Sequence, residues 1–429
     1  MDASVSSKAT ASTFEPDVRE IVTAEHVRTA GTNDAVAGVQ PSLVVEPGSE
    51  QELANVLKLA NTAGLAVIPR GGATKQEWGN RPARADVILS TPRLNRVIEH
   101  AWADLTVSVE AGCTIAKLQE TLAKHGQRLA LDALWPERAT VGGVLSTNDS
   151  GALRLRFGSL RDLVIGAIVA LADGTVASSG GKVVKNVAGY DLPKLITGAF
   201  GTLAVVTRAI FRLHPLPREV RTISCVTRDV HEAQRLVLAI QNSKLAHSAL
   251  QICCAAEMQP HVDVLFEGTE AGLTAQVEQV KSLMGSATIT DEGKDVWDAR
   301  QRINSAGKGR DADFAVAKFA TLPARMAETI EVIATRSRAD LRWSVAAQAT
   351  GIGWARLEGE ASAMVSVLRE LRADLERDGG SLVMAHRPAS LAPRDAWGSS
   401  GDALPLMNAV KRQFDPLGTL NPGRFLGGI

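Results

Sequence analysis

Four glycine-punctuated segments in the first half of this 429-residue chain could support chemistry that needs close backbone approach. The first is Pro69-Arg70-Gly71-Gly72-Ala73-Thr74-Lys75, which follows an apolar run and has a cation near each end. Adjacent glycines let successive N–H groups point into one concavity, which suits an anion such as a pyrophosphate; a plain surface turn explains the pair equally well. The second is Thr140-Val141-Gly142-Gly143-Val144-Leu145-Ser146-Thr147-Asn148. A helix opening at Gly142 would add its N–H groups to an anion site, while tight helix-on-sheet packing accounts for the same small residues. Gly151 and Gly158, then Asp162, extend this stretch. The third runs from Gly180 to Leu192 and contains Lys185, Asn186, Gly189 and Tyr190; the fourth is Gly198-Ala199-Phe200-Gly201-Thr202-Leu203. Both lie beside predicted strands.

Other chemistries are disfavoured. No G-x-G-x-x-G follows a strand: Gly351-Ile352-Gly353 has Arg356 where the third glycine belongs. No G-x-x-x-x-G-K-[ST] occurs, since Gly181-Lys182 precedes Val183, so Rossmann and P-loop readings fall away. The cysteines, Cys113, Cys225, Cys253 and Cys254, form no C-x-x-C pair, and His231, His247, His261 and His386 are scattered. That spacing assigns no metal site and no iron–sulfur cluster to this chain, and it suits buried thiols in a reducing compartment. Lys plus Arg and Asp plus Glu balance at 47 each, with one tyrosine, which argues against nucleic acid as a partner. Residues 1–17 lack the apolar core of a secretory signal. The longest apolar run, Leu163 to Ala172, is about half of the ~20 residues that a membrane span needs. A cytoplasmic location is expected, with any membrane contact peripheral or through partners.

The elements that must position these segments follow from periodicity and punctuation. Residues 1–40 show no sustained pattern and are expected to be a loosely ordered arm. Leu43-Val44-Val45 is a strand. Ser49 and Glu52 cap a helix with Leu53, Val56, Leu57 and Ala60 on one face, and Gly64 stops it. Leu65 to Ile68 is the next strand, so this β-α-β unit implies parallel pairing. Further strands are expected at Asp86–Ser90, Leu105–Glu110, Ile165–Leu171, Thr175–Ser178 and Leu203–Leu213, with a helix at Ile115–His125. Pro215 and Pro217 punctuate a boundary. Beyond it, strands at Arg221–Val226, Ala249–Cys253, Val262–Phe266, Phe314–Ala320, Arg342–Ala347, Gly353–Leu357 and Leu382–Ala385 alternate with helices near 229–242, 270–284, 324–337 and 361–377. Short connections among them predict a largely antiparallel sheet covered by helices. The fold class is α+β. A small parallel β-α-β part plus a mixed sheet form one domain at 41–217, an α+β domain follows at 218–395, and 396–429 returns to the first.

In order and spacing, the four segments resemble the FAD-binding domain of the vanillyl-alcohol oxidase / p-cresol methylhydroxylase family, over roughly 40–217. The tail Phe414-Asp415-Pro416-Leu417-Gly418-Thr419-Leu420-Asn421-Pro422-Gly423-Arg424 resembles the ending of the branch that oxidises lactate and glycolate. Lys185 to Asp191 and the A-T-V-G-G run at 139–143 are most similar to the smaller FAD-binding subunits of bacterial glycolate oxidases. The resemblance implies FAD against Pro69, Arg70, Gly71, Gly72, Ala73, Thr74, Pro136, Thr140, Val141, Gly142, Gly143, Thr147, Asn148, Gly151, Lys185, Asn186, Gly189, Tyr190, Gly201, Thr202, Leu203, Val205 and Asn421. Some members attach FAD through a histidine in the first glycine-rich loop. No histidine lies between Pro69 and Trp78, so non-covalent FAD is expected.

The resemblance further implies a 2-hydroxy acid substrate and a complex with a second flavin subunit and an iron–sulfur subunit. Oxidation of a 2-hydroxy acid takes a base for the hydroxyl proton and a cation for the carboxylate. Arg342, Arg356, His386 and Arg387 fall on or beside predicted strands and are the candidates, with solvated surface positions as the alternative. Catalytic subunits of this branch carry a metal-binding histidine cluster that this chain lacks. A non-catalytic flavin relay or structural subunit, and a stand-alone FAD-linked dehydrogenase of another substrate, are therefore the competing readings.

Overall fold

The Ser49 hydroxyl accepts from the Glu52 amide at 3.2 Å, and the Glu52 carboxylate accepts from the Gly48 amide at 2.8 Å. These reciprocal bonds open helix Glu50–Thr62, which buries Leu53, Val56, Leu57 and Ala60 and gives way at Gly64, where φ is +65°. The computed structural model describes residues 14–182, 189–285, 289–291, 294–305, 313–337, 341–388, 391 and 395–429. The helix is the crossover of a β-α-β unit. Strands β2 (Leu43–Val45) and β3 (Val67–Arg70) both pair in parallel with β4 (Val87–Ser90), and β1 (Val27–Thr29) runs antiparallel on the edge, in the order β1-β2-β4-β3.

The chain divides into two units: residues 1–149, 159–216 and 400–429 in one, residues 150–158 and 217–399 in the other. In the first, β5 (Val97–Ala101), β6 (Thr106–Glu110), β8 (Val164–Ala170), β9 (Val176–Gly180) and β10 (Val205–Arg212) form a sheet in the order β5-β6-β10-β8-β9. Two short strands, β7 (Gln127–Arg128) and β11 (His214–Pro215), pair beside it. This sheet is antiparallel throughout, where a mixed one was expected. Short turns join β5 to β6 and β8 to β9, which forces those two pairs to be antiparallel, and β10 enters between the two hairpins antiparallel to both β6 and β8. Val107, Val109, Leu118, Leu122, Val144, Leu145 and Phe211 pack its core.

Residues 14–40 correct the expectation of a loose arm. Residues 14–22 are helical and bury Phe14, Val18 and Val22 at i, i+4 and i+8 against Leu43, Leu53 and Leu57. Further along, Asp34 receives Arg28 at 2.6 Å and Arg70 at 2.7 Å.

Among the described residues of the second unit, eight strands form one antiparallel sheet. They are β12 (Glu219–Val226), β13 (His247–Ala255), β14 (Met258–Gly268), β15 (Ile289–Asp291), β16 (Phe314–Ala320), β17 (Leu341–Gln348), β18 (Ile352–Gly359) and β19 (Ser381–His386), ordered β15-β12-β14-β13-β17-β18-β16-β19. Helices Val230–Gln241, Glu270–Met284, Met326–Arg336 and Ala361–Arg377 cover one face. There Ile252, Cys254, Val264, Phe266, Phe319 and Leu357 meet Val237, Ile240, Ile330 and Leu371 in an apolar core. The other face is polar and largely buried. Period-2 alternation puts Thr222, Ser224, Gln251, Cys253, Asp263, Gln348 and Arg356 there, each under a tenth exposed. Segment 150–158 belongs with this unit: Ala152 packs on Ala249 and Leu265.

The two guanidinium groups hold the Asp34 carboxyl well below the ordinary carboxylate range, chiefly through the Arg28 hydrogen bond. A depressed carboxyl contributes stability above the unfolded pKa of about 4, and loses it as pH falls from there toward the folded value. Asp34→Asn is therefore expected to cost about 1–3 kcal/mol at pH 7. In urea unfolding, the gap to the native sequence should stay constant down to about pH 5 and narrow below about pH 4.

Candidate functional site

The parallel ladder ends where the Thr91 amide donates to the Arg70 carbonyl at 2.8 Å. Beyond Arg70, the amides of Gly71, Gly72, Ala73 and Thr74 have no acceptor among the described residues. Ala73 stands at φ +56°, a left-handed conformation that costs a non-glycine residue about 1–2 kcal/mol. Consecutive amides turned through such a residue make a nest with positive potential at its centre. The two glycines are demanded by the protein's own packing. A Cβ at Gly71 would lie 2.0 Å from Thr140 Oγ1, and one at Gly72 1.7 Å from the Arg138 carbonyl oxygen.

The nest opens on a cleft of about 730 Å³, open to solvent. Of the residues expected at the cofactor, Pro69, Arg70, Gly71, Gly72, Ala73, Thr74, Thr140, Gly142, Gly143, Thr147, Gly201, Val205 and Asn421 line it. Lys75, Ser146, Phe200 and Arg424 line it too, from within the segments singled out in the sequence though not named as cofactor contacts, and so do Gln76, Thr91, Ala111, Ala204 and Val206, which sequence reasoning missed. Thr91, Ala111, Ala204 and Val206 arrive at or beside strand ends and leave no local signal.

Charge holds the loop from both sides. Arg70 is paired with Asp34. Lys75, buried over Trp78 and Trp135, sits 3.1 Å from Asp149, whose carboxylate also accepts from the Leu134 amide at 2.9 Å. The tail closes the back. The Val67 amide donates to the Thr419 carbonyl at 2.7 Å and the Asn421 amide to the Val67 carbonyl at 2.9 Å. Lys411 ties this segment together by donating to Asp415 at 2.6 Å and to the carbonyls of Thr202 and Leu420 at 2.7 and 3.0 Å. Asn421 Nδ2 donates to the Phe200 carbonyl.

The second glycine segment supplies a wall. Val141 N–H is taken by the Cys113 carbonyl at 2.9 Å, Gly142 N–H by Ala111 at 2.8 Å, and Gly143 N–H by Thr140 Oγ1 at 3.4 Å. The expectation that these amides add to an anion site is thus corrected: helix Val141–Thr147 has its first-turn amides occupied. Gly142 is needed because a Cβ there would stand 2.9 Å from Ala111 Cβ.

Several expected residues lie elsewhere. Val141 points into the apolar core. The Pro136 carbonyl accepts from Ala116, and Asn148 caps its helix at φ +45°. Thr202 and Leu203 are buried behind the cleft, and Thr202 Oγ1 donates to Ala199. Gly151 belongs to the second unit. Tyr190 is 91% exposed, and Gly189 beside it stands at φ +78°. Lys185 and Asn186 lie outside the described residues.

In the second unit, Arg356 is buried and committed. Nε donates to Glu358, NH1 donates to the Ile303 and Ser305 carbonyls at 3.1 and 2.8 Å, and the guanidinium lies 3.8 Å over the Phe314 ring. His386 stacks on Phe314 at 4.1 Å. Burial, then Arg356 and Arg387, lower its pKa, so it is neutral near pH 7. Arg342 is exposed on β17. Cys253, His261 and Asp263 carry ligating atoms within 4.8 Å of one another. The scattered-histidine reading missed this group because cross-strand register assembles it.

The cleft fits the flavin dinucleotide that the sequence implied. Four unpartnered amides suit a pyrophosphate, and Gln76 Nε2 and Asn421 Oδ1 are buried at the lining without a partner among the described residues. Gly72→Val is expected to weaken flavin binding by about 10–100-fold or more, through displacement of the Arg138 carbonyl. Ala73→Gly should preserve binding and add up to about 1 kcal/mol of stability, because glycine is at ease at that φ. Fluorescence titration of both variants, with circular dichroism as the folding control, checks this. Unchanged affinity in Gly72→Val, or lost affinity in Ala73→Gly, would mean that the loop is not the anion site.

Residues 41–180 match the FAD binding domain family, and residues 398–425 match the C-terminal domain of FAD linked oxidases. The chain is 33% identical over 204 residues to D-lactate dehydrogenase of Archaeoglobus fulgidus (47% of this chain, 45% of that one). It is 29% identical over 240 residues to glycolate oxidase subunit GlcD of Bacillus subtilis (56% and 50%). Thus it spans about half the length of these relatives. A longer match, 28% over 421 residues, joins it to the mitochondrial D-2-hydroxyglutarate dehydrogenase of Bos taurus (90% and 76%). Among solved structures, p-cresol methylhydroxylase with substrate bound superposes with a TM-score of 0.75 at 15% identity, over 97% of this chain and 96% of that one. An alkyldihydroxyacetonephosphate synthase gives 0.73 at 16%, over 96% and 84%. Residues 41–180 are thus similar in sequence to FAD binding domains and residues 398–425 to the C-terminal domain of FAD linked oxidases, and the fold is the one seen in p-cresol methylhydroxylase.

Proposed function

We propose that this chain is the FAD-binding subunit of a 2-hydroxy-acid dehydrogenase complex of the glycolate oxidase kind, working with a second flavin subunit and an iron–sulfur subunit. The observation that carries the flavin part is the run of four unpartnered amides from Gly71 to Thr74 at the mouth of the cleft. The names of the relatives, a D-lactate dehydrogenase, a glycolate oxidase subunit and a D-2-hydroxyglutarate dehydrogenase, support the substrate class. FAD, when bound, supplies the hydride acceptor. In this reading the Gly71–Thr74 amides hold the pyrophosphate, the Lys75–Asp149 and Arg70–Asp34 pairs fix the loop, and no histidine is available in it for covalent attachment.

The base and the carboxylate-binding cation are less well provided. Neutral His386 suits a base, while Arg356 is spent on two carbonyls and Glu358. That commitment favours a second reading, in which the chain holds flavin for the complex without oxidising substrate itself.

One measurement tests the flavin common to both readings and a second separates them. Acid precipitation of the yellow protein is expected to release all flavin to the supernatant; colour kept in the pellet would refute non-covalent binding. Anaerobic mixing of the FAD-loaded chain with glycolate, D-lactate or D-2-hydroxyglutarate then tests catalysis. Bleaching by one of them, slowed about 10²–10⁴-fold in His386→Asn, supports oxidation by this chain. An unbleached flavin, with an iron–sulfur protein and a second flavoprotein co-purifying, supports the relay. A lone monomer turning over a 2-hydroxy acid would overturn the complex.

A further inference from the structure

Asp263 is fully buried on the polar face of the second sheet. Ser224 Oγ donates to its Oδ1 at 2.6 Å and Gln251 Nε2 to its Oδ2 at 2.9 Å. Both donors are neutral. Among the described residues its only ion-pair partner is His261, at 3.7 Å and charged only if protonated. A carboxylate removed from water is normally matched by a full counter-charge or a metal ion. On β13, Cys253 stands directly opposite His261, and Asp263 follows two residues along β14 on the same face. A Sγ, an imidazole nitrogen and a carboxylate oxygen thereby converge within 4.8 Å. Arg302 is near enough to act on the thiol, but its NH1 donates to the Asp295 carbonyl at 2.7 Å.

We propose that Cys253, His261 and Asp263 form a site for a zinc-like divalent cation, with three protein ligands and a fourth position for water. The donor set is the mixed S, N, O type that zinc accepts. A thiolate and a carboxylate together would neutralise a divalent ion, which suits a buried site. Ligands at about 2.0–2.3 Å from zinc stand roughly 3.3–3.8 Å apart; the His261–Asp263 pair already meets this, and the set closes by about 1 Å at most. Ser224 and Gln251, which also donates to the Val296 carbonyl at 3.1 Å, orient the carboxylate as outer partners of metal ligands do. His261 retains partial solvent exposure near the Ala255–Met258 turn, which leaves the ion a route in. The site is independent of the flavin reading: its residues lie in the second unit.

The test uses the untagged, FAD-loaded full chain, equilibrated with zinc and dialysed. Elemental analysis is expected to find one zinc per chain, and X-ray absorption at the zinc edge one sulfur at about 2.3 Å with nitrogen or oxygen at about 2.0–2.2 Å. Cys253→Ser should remove the sulfur shell, and Ser224→Ala should weaken binding about 10–100-fold. His261→Gln should also lower retention. Circular dichroism and flavin content report whether each variant folds; where one does not, the native spectrum decides. No zinc retained by the native chain, zinc without sulfur, or equal retention in Cys253→Ser would overturn the proposal.

Discussion

Four adjacent backbone amides without an acceptor among the described residues are the constraint around which the first unit is arranged. Left alone in a partly enclosed cleft, each would cost free energy comparable to a lost hydrogen bond. They persist because the surrounding structure over-determines the loop. The β3–β4 ladder stops at Arg70, the Arg138 carbonyl and Thr140 leave no room for side chains at Gly71 and Gly72, and Ala73 is held left-handed. Four further non-glycine residues with positive φ, Trp135, Asn148, Phe200 and Asn421, are in the segments that line or back the cleft. Strain gathered in this way is expected where a ligand-facing geometry outweighs local preference.

The tail shows how remote chain is recruited to the same end. Lys411 and Asp415 form a buried pair in which each partner also binds backbone: Lys411 the carbonyls of Thr202 and Leu420, Asp415 the amides of Thr419 and Leu420. Burial lowers the Lys411 pKa, with the Asp415 bond opposing it. Removing either partner would strand the other charge, which is the costly way to break such a pair. The second sheet solves a different problem. One face is an ordinary apolar core under helices, while the other buries carboxylate, thiol, amide and guanidinium groups whose partners are mostly each other and nearby carbonyls.

Much of this fold is legible in the chain, for identifiable reasons. Strand Phe314–Ala320 stands out as a short, nearly continuous apolar run, and helix Ala361–Arg377 because a cap at Glu360 agrees with one apolar face of Met364, Val367, Leu368, Leu371 and Leu375. The nest is legible because Arg70 to Thr74 are contiguous. Thr91, Ala111 and Val206 are not, since they reach the cleft through pairing with distant strands. Nor is the occupancy of the Val141 and Gly142 amides, which depends on carbonyls 28 and 31 positions away. The helix at 14–22 was readable from the spacing of Phe14, Val18 and Val22, but it is short and its neighbours are mixed in character. Cys253, His261 and Asp263 lack any linear ligand spacing, because β13 and β14 bring them together only across a turn.

The central claim is that these amides bind a pyrophosphate. Fluorescence titration of the flavin-free chain with FAD, FMN and riboflavin at fixed ionic strength tests it most directly. The account predicts that FAD binds about 10²-fold or more tightly than riboflavin, with FMN between, since charge-assisted bonds are worth about 1.5–3 kcal/mol each. Equal affinity for FAD and riboflavin would show that the Gly71–Thr74 amides hold no phosphate, and would contradict the account.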